Sequence, residues 1–136
     1  MTPNSDAPSG APSASPRKCI LVVEDELLIR IFVSDELREA GYDVIEAFNA
    51  DEALVILKSP VRIDLIVSDV RMPGTLDGIG LLSLVRESFP ALPVIITSGH
   101  LEPEEAISKG ANRFMRKPFS AEWVVKAVQD QLERDV

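Results

Sequence analysis

Five short apolar runs alternate with five stretches of helical periodicity between residue 18 and residue 136. Each run has four to six residues, which is too few for a free-standing helix and is typical of a strand buried in a sheet. Strands that alternate with helices in this way imply a parallel sheet covered by helices on both faces. The predicted fold class is therefore α/β, a doubly wound (βα)5 sheet with strands at residues 19–23, 42–47, 63–68, 93–98 and 113–116.

The predicted helices are marked by the residues that begin and end them. Asn49 and Ser120 suit N-caps, Pro103 suits a first helical turn, and Gly41 and Gly110 follow helix ends. Helices are predicted at residues 27–40, 49–57, 78–89, 102–109 and from 121 onward. Helical spacing predicts these inward-facing side chains: Ile29, Phe32, Val33, Leu37, Ala40, Leu81, Leu82, Val85, Phe89, Val124, Val128 and Leu132.

Composition excludes several classes of protein. The formal net charge of −8 argues against general nucleic-acid binding, which needs a basic surface to neutralise phosphates. No apolar run has the length of a membrane-spanning helix, and the single cysteine, Cys19, excludes an internal disulfide. We therefore expect a cytoplasmic protein with no membrane contact and no direct nucleic-acid partner.

The chain divides into a tail and one domain. Residues 1–17 hold four of the ten prolines together with repeated Ser and Ala, and they offer no apolar face to bury. They also lack the apolar segment of a secretory signal. We expect a disordered N-terminal tail at residues 1–17 and a single folded domain at residues 18–136.

Polar side chains follow four of the five predicted strands. Glu24 and Asp25 follow the first strand, Asp69 the third, Ser98 ends the fourth, and Lys117 follows the fifth. Because the carboxyl ends of parallel strands meet at one edge of the sheet, these groups are expected to lie together. Three clustered carboxylates would raise one another's pKa unless a cation intervened, and Mg²⁺ suits such oxygen ligands. The hydroxyl and the ammonium would then donate to an anion that shares the metal, such as a phosphoryl group.

Four motifs carry a family resemblance: VVEDE, SDVRMP, TSG and KPF, in this order and at matching strand ends. Together they resemble the receiver domain of bacterial two-component response regulators, of the chemotaxis-regulator-like, single-domain kind, over residues 18–136. The resemblance implies a flavodoxin-like fold with strand order 2-1-3-4-5. It also implies that Asp69 is a phosphoacceptor, supplied by a phosphohistidine on a sensor histidine kinase or a histidine phosphotransfer protein.

The same resemblance implies roles for the neighbours of Asp69. Asp25 and Asp69 would bind Mg²⁺, or Mn²⁺ in its place, directly, together with the backbone carbonyl of Arg71, while Glu24 would act through a coordinated water. Ser98 and Lys117 would each contact a phosphoryl oxygen. Glu24 stands where many family members have Asp, and the loop at residues 74–78 appears one residue longer than is common.

Other positions are candidates for control of rate and output. Arg71 and His100 would flank the path of the hydrolytic water and set a slow dephosphorylation rate; the alternative is that both point into solvent. Ser98 would move toward the phosphoryl group and Phe114 would swing inward, although Phe114 also suits ordinary core packing. The expected output face comprises the fourth helix, fifth strand and fifth helix, with Lys109, Arg113, Phe114, Trp123 and Lys126. A partly buried, structural Trp123 is the alternative.

Several functional alternatives stay open at the level of sequence. The chain could be a stand-alone regulator that acts on an unknown downstream protein as a monomer or activation-dependent dimer, a phosphate shuttle or sink, or a receiver fragment of a larger hybrid kinase or regulator. As a receiver it would be no enzyme beyond its own phosphorylation and dephosphorylation. Rival interpretations are a haloacid-dehalogenase-like phosphatase, an FMN-binding flavodoxin-like protein and an interaction module with a dead site.

Overall fold

The computed structural model describes residues 16–71 and 76–134. Five parallel strands form one sheet in the order β2-β1-β3-β4-β5, which confirms the predicted fold class and strand order. The strands are β1 (Cys19–Val23), β2 (Asp43–Ala47), β3 (Leu65–Asp69), β4 (Val94–Ser98) and β5 (Arg113–Arg116). The five helices between and after them are α1 (Leu27–Glu39), α2 (Ala50–Lys58), α3 (Gly78–Ser88), α4 (Pro103–Ser108) and α5 (Ala121–Arg134).

Two hydrophobic cores lie on opposite faces of the sheet, because successive strand residues point to opposite sides. On one face, Leu21, Ile66 and Ile96 pack with apolar residues of α2, α3 and α4. On the other face, Ile20 and Ile95 pack with apolar residues of α1 and α5. The helices therefore cover both faces of the sheet, and the carboxyl ends of the strands are left at one accessible edge.

The start and stop signals behave as the sequence predicts. The Asn49 side chain accepts a hydrogen bond from the Glu52 amide at 2.8 Å, and the Ser120 hydroxyl accepts one from the Trp123 amide at 3.2 Å. Gly41 and Gly110 adopt positive φ angles of 104° and 108°, which side chains other than glycine rarely tolerate. These local interactions fix where the helices begin and end.

The predicted third strand is displaced by up to two residues from the observed one. The observed strand, β3, begins at Leu65 rather than at residue 63, and Asp69 is its last residue. The reason is Asp64, whose side chain accepts a hydrogen bond from the Cys19 amide at 2.8 Å while its own amide donates to the Cys19 carbonyl. The residues before Leu65 are thus tied to the start of β1 before the ladder begins.

Three of the predicted inward-facing residues are wrong. Phe32, Ala40 and Phe89 are exposed, with 49% of the Phe32 surface and 37% of the Phe89 surface accessible. Val33 and Leu37 are the residues that hold α1 on the sheet, so Phe32 falls on the flank of the buried stripe. Ala40 and Phe89 come directly after the last residues of α1 and α3, beyond the helical face that is buried.

Two sequence predictions concern residues outside the described ranges. The tail predicted to be disordered, residues 1–17, falls almost wholly in residues 1–15, and the loop at residues 74–78 that is predicted to be one residue longer falls partly in residues 72–75. Within residues 16–71 and 76–134, no helix combines the length and the apolar character that crossing a membrane requires.

Candidate functional site

The polar residues of the strand ends meet at one cleft, as the sequence predicts. Asp69 and Ser98 are the last residues of β3 and β4, while Asp25 and Lys117 lie in the turns after β1 and β5. The cleft has a volume of about 630 Å³, and its walls include these four residues. The parallel topology alone brings them together, since they are separated by up to 92 positions in the chain.

Three carboxylates form an acidic cluster in this cleft. Glu24, Asp25 and Asp69 each offer an oxygen atom, and these atoms lie within 4.8 Å of one another. Glu24 and Asp69 are buried, with 4% and 7% of their surfaces exposed, whereas Asp25 is exposed. Burial, together with the charge of Asp69, raises the pKa of Glu24 to about 7 despite its hydrogen bond to Lys117. Three carboxylates this close together fit a hard divalent cation such as Mg²⁺, which takes oxygen ligands.

Lys117 is the cation that the chain itself supplies to the cluster. Its Nζ lies 2.8 Å from Glu24 Oε1, 3.1 Å from Asp69 Oδ2 and 3.9 Å from Glu26 Oε1. Burial by itself would lower the pKa of Lys117, but the hydrogen bond with Glu24 and the charge of Asp69 raise it above its usual value. The side chain therefore remains an ammonium at neutral pH and bridges the first and third strand ends.

The Asp69 carboxylate is held in a defined orientation. Its Oδ1 accepts a hydrogen bond from the Val70 amide at 2.8 Å, while Oδ2 faces Lys117. The start of α3 packs directly on this strand end, because the Gly78 amide donates to the Val70 carbonyl at 2.9 Å. A Cβ atom on Gly78 would overlap the carbonyl oxygen of Asp69, so only glycine permits this approach.

The Ser98 hydroxyl organises the loop that follows β4. Its Oγ accepts hydrogen bonds from the His100 and Leu101 amides, both at 3.0 Å, and the residue is 2% exposed. Since a hydroxyl accepts through two lone pairs and still carries one proton, Ser98 keeps an O–H group to donate. His100 and Arg71, the two positions that the sequence singles out, are exposed and line the cleft.

Sequence reasoning missed an apolar rim beside the acidic cluster. Ile29, Phe32 and Phe119 line the cleft, and exposed apolar side chains continue from it along α1. These exposed side chains are Leu27, Leu28, Ile31 and Phe32, with 55%, 80%, 40% and 49% of their surfaces accessible. The signal was present in residues 27–32, where five of six are apolar, because one helical face cannot bury that many in succession.

The residues of the expected output face lie on the surface of α4, β5 and α5. Trp123 is 70% exposed, so the alternative of a partly buried Trp123 is wrong. Phe114 is half-buried, and the Arg116 guanidinium lies 5.2 Å from its ring centroid. Among the candidate cations, Lys109 and Lys126 are exposed and Arg113 is half-buried. Arg113 and Lys126 both pair with Asp130, at 4.0 and 3.5 Å.

The raised pKa of Glu24 predicts a pH dependence of stability in the metal-free protein. The carboxyl binds its proton more tightly in the folded state, with a pKa of about 7 against 4.5, so the free energy of unfolding falls as pH rises between these values. The total decrease in the free energy of unfolding over this pH range is at most about 3 kcal/mol. Urea unfolding in EDTA at several pH values measures it. We expect Glu24→Gln to lack this slope; identical pH profiles in both proteins would contradict the assignment.

Comparisons with known proteins give a consistent result. Residues 20–129 match the family described as response regulator receiver domain. Nitrogen assimilation regulatory protein NtrX of Azorhizobium caulinodans is 36% identical over 118 residues, covering 84% of this chain and 26% of the relative. DNA-binding transcriptional regulator NtrC of Salmonella typhimurium is 35% identical over 116 residues, covering 83% and 24%. The chain thus spans about a quarter of the length of the curated relatives it matches.

A solved structure supports the same family. The receiver domain of NtrX from Brucella abortus superposes with a TM-score of 0.78 at 36% identity, covering 84% of this chain and 98% of that one. The phosphatase alternative has no support, and the domain acts in signalling rather than in metabolism. Domains of this kind interact with histidine kinases. The chain belongs to the response regulator receiver domain family and serves as a phosphoacceptor in two-component signal transduction.

Proposed function

We propose that Asp69 is the phosphoacceptor and that it takes its phosphoryl group from a phosphohistidine on a sensor histidine kinase or a histidine phosphotransfer protein. The observation that carries the proposal is the arrangement around this one carboxylate. Val70 fixes one oxygen, and the other faces Lys117 beside two further carboxylates. A carboxylate oxygen of Asp69 forms the new P–O bond while the P–N bond of the phosphohistidine breaks. The imidazole leaves with the bonding electron pair and takes up a proton.

The residues around Asp69 fit a divalent cation. Asp25, Asp69 and the backbone carbonyl of Arg71 would hold Mg²⁺ or Mn²⁺, with Glu24 contributing through water. When bound, the ion supplies positive charge that neutralises the oxygens of the phosphoryl group in transfer. The chain provides the remaining stabilisation: the Lys117 ammonium exchanges its contact with Asp69 Oδ2 for a phosphoryl oxygen, and the Ser98 hydroxyl donates its free proton to another.

The apolar rim of the cleft is the proposed approach route for the phosphohistidine-bearing partner. Phe32 of α1 lines the cleft, and Leu28 exposes a large apolar surface on the same helix. Exposed apolar patches of this kind on small domains mark interaction sites. Contact along α1 would hold the partner while leaving the acidic cluster accessible to its imidazole ring.

The proposed output is a shift of the surface formed by α4, β5 and α5. Ser98 currently holds the loop before α4 through two backbone amides, so its engagement by the phosphoryl group acts directly on that loop. Phe114 then moves inward and changes the surface that Trp123, Lys109, Arg113 and Lys126 present to a downstream protein or a second copy. A shift from 1:99 to 99:1 requires roughly 5.5 kcal/mol of differential binding.

Phosphorylation by a small phosphodonor tests the proposal. The wild-type protein is incubated with acetyl phosphate and Mg²⁺, and its intact mass is measured with and without hydroxylamine, which cleaves acyl phosphates. We expect a gain of one phosphoryl group that hydroxylamine removes, and no gain when EDTA sequesters the metal. A chain that acquires no such group under these conditions would contradict the proposal.

Arg71 and His100 are expected to slow the loss of the phosphoryl group. Both side chains are exposed at the wall of the cleft, where they shield the phosphoryl group from water. The double variant Arg71→Ala/His100→Ala should therefore lose phosphate several-fold faster than the wild type. Following the phosphorylated mass over time after removal of the donor measures this rate, and an unchanged half-life would show that both side chains point away into solvent.

A further inference from the structure

We propose that Arg30 of α1 is a positioning residue for the metal-binding turn at residues 24–26. The inference rests on the proposed function, since it concerns the cation site that phosphorylation of Asp69 requires. Arg30 does not reach the carboxylates themselves. It acts on the main chain that carries two of them.

The contacts of Arg30 place it behind the acidic turn. One terminal nitrogen of its guanidinium donates to the Glu24 carbonyl at 2.9 Å, and Nε donates to Glu46 Oε1 at 3.2 Å. The side chain is only 16% exposed. Because the guanidinium is planar and hydrogen-bonds to both groups, it fixes the position of the Glu24 carbonyl relative to Glu46 of β2.

The Glu24 residue is held from both of its backbone sides. Its amide donates to the Ala47 carbonyl at 3.0 Å, and its carbonyl accepts from Arg30. Because the carbonyl of Glu24 and the amide of Asp25 belong to one rigid peptide plane, fixing this carbonyl sets the direction in which Asp25 leaves the strand. Asp25 is exposed, so the backbone is what orients it toward the other carboxylates.

The effect of the Arg30 charge on cation binding can be distinguished from its positioning role. Glu46 neutralises the guanidinium and also pairs with Arg38 at 3.2 Å. Removing Arg30 therefore makes the neighbourhood of the site more negative, and electrostatics alone would tighten the binding of a cation. Loss of positioning weakens it. The two effects have opposite signs, so the direction of the change identifies the role.

Arg38 provides a matched control on the same helix. It shares the partner Glu46 and donates to the Val44 carbonyl at 3.2 Å, but no contact links it to Glu24. Arg38→Gln removes the same charge and a contact with the same partner, Glu46, from α1, although Arg38 is 45% exposed and Arg30 only 16%. Any effect of net charge should therefore appear in both the Arg30 and the Arg38 variants, and thermal unfolding reports the effect of lost packing.

The test is the affinity of the chain of residues 1–136 for Mn²⁺, measured from the electron paramagnetic resonance signal of the free ion. Arg30→Gln is expected to weaken Mn²⁺ binding about 10-fold, the lower end of what outer-shell partners of metal ligands contribute. Arg30→Lys should fall between Arg30→Gln and the wild type, because its single ammonium cannot span both partners. Arg38→Gln should stay within about twofold of the wild type, as exposed ion pairs affect little.

Thermal unfolding without metal accompanies each measurement. If Arg30→Gln does not fold, the comparison of Arg30→Lys with Arg38→Gln carries the test. Equal or tighter Mn²⁺ binding by the Arg30 variants, or an equal loss in Arg38→Gln, would overturn the positioning role while leaving the function of Asp69 intact. A wild-type chain that binds no Mn²⁺ would instead overturn the proposed metal-dependent function, and the role of Arg30 with it.

Discussion

Asp69→Asn is expected to abolish the incorporation of hydroxylamine-sensitive phosphate from acetyl phosphate and Mg²⁺. An amide oxygen is a far weaker nucleophile than a carboxylate oxygen, and the amide cannot form a stable acyl phosphate. The substitution should leave the fold intact, because it removes one of three clustered carboxylates and so reduces the electrostatic repulsion on Glu24. Intact mass spectrometry measures the phosphoryl group, and thermal unfolding measures the stability.

Asp35→Asn is the matched control for this experiment. Asp35 is an exposed carboxylate on α1 that pairs with Arg38 at 3.6 Å and lies outside the cleft. The control carries the same change of charge and should be phosphorylated like the wild type. Phosphate that persists at wild-type level in Asp69→Asn would assign the acceptor to another residue, and its loss in Asp35→Asn would mean that the assay reports general damage.

Gly78→Ala is expected to be the most destabilising single methyl addition at the site, by about 3 kcal/mol. The new Cβ would overlap the Asp69 carbonyl oxygen and press on the Val70 Cα, both of which are backbone atoms that cannot rotate away. α3 would have to retreat from the sheet and lose the hydrogen bond from the Gly78 amide to the Val70 carbonyl. Urea unfolding measures the loss.

Gly99→Ala supplies the comparison, because Gly99 lines the cleft but a Cβ atom there has different surroundings. The nearest atom to a Cβ there is Lys117 Cβ at 3.9 Å, an ordinary van der Waals contact. We expect a change below about 0.5 kcal/mol, as for surface substitutions away from special features. Similar losses in both variants would show that the packing of α3 on β3 is looser than the contact at Gly78 indicates.

Most of the fold was predictable because local signals and long-range order agree. Gly41, Asn49 and Gly110 end or begin helices through interactions with their immediate neighbours, so their sequence positions suffice. The start of β3 was predicted less well, because it depends on a contact between Asp64 and Cys19, which are 45 residues apart. Phe32 was misplaced because helical periodicity identifies a buried face but does not resolve its flank.

The sequence predicts which residues meet at the candidate site but not which of them are in contact. Parallel topology brings Asp25, Asp69 and Lys117 to one edge whatever the loops do. Which pairs touch is decided by the lengths and directions of individual side chains, so the 2.8 Å contact between Lys117 and Glu24 could not be read from the sequence. The same holds for Arg30 of α1, whose partners are Glu24, in the turn after β1, and Glu46, in β2.

The position of Lys117 has a consequence for the order in which the site is assembled. Its ammonium contacts Glu24 and Asp69, two of the three carboxylates that would surround a metal ion. A divalent ion held by Asp25 and Asp69 would compete with this ammonium for the Asp69 oxygen. Lys117 would then be free to contact a phosphoryl oxygen, so the proposed function implies that metal binding comes before the donor.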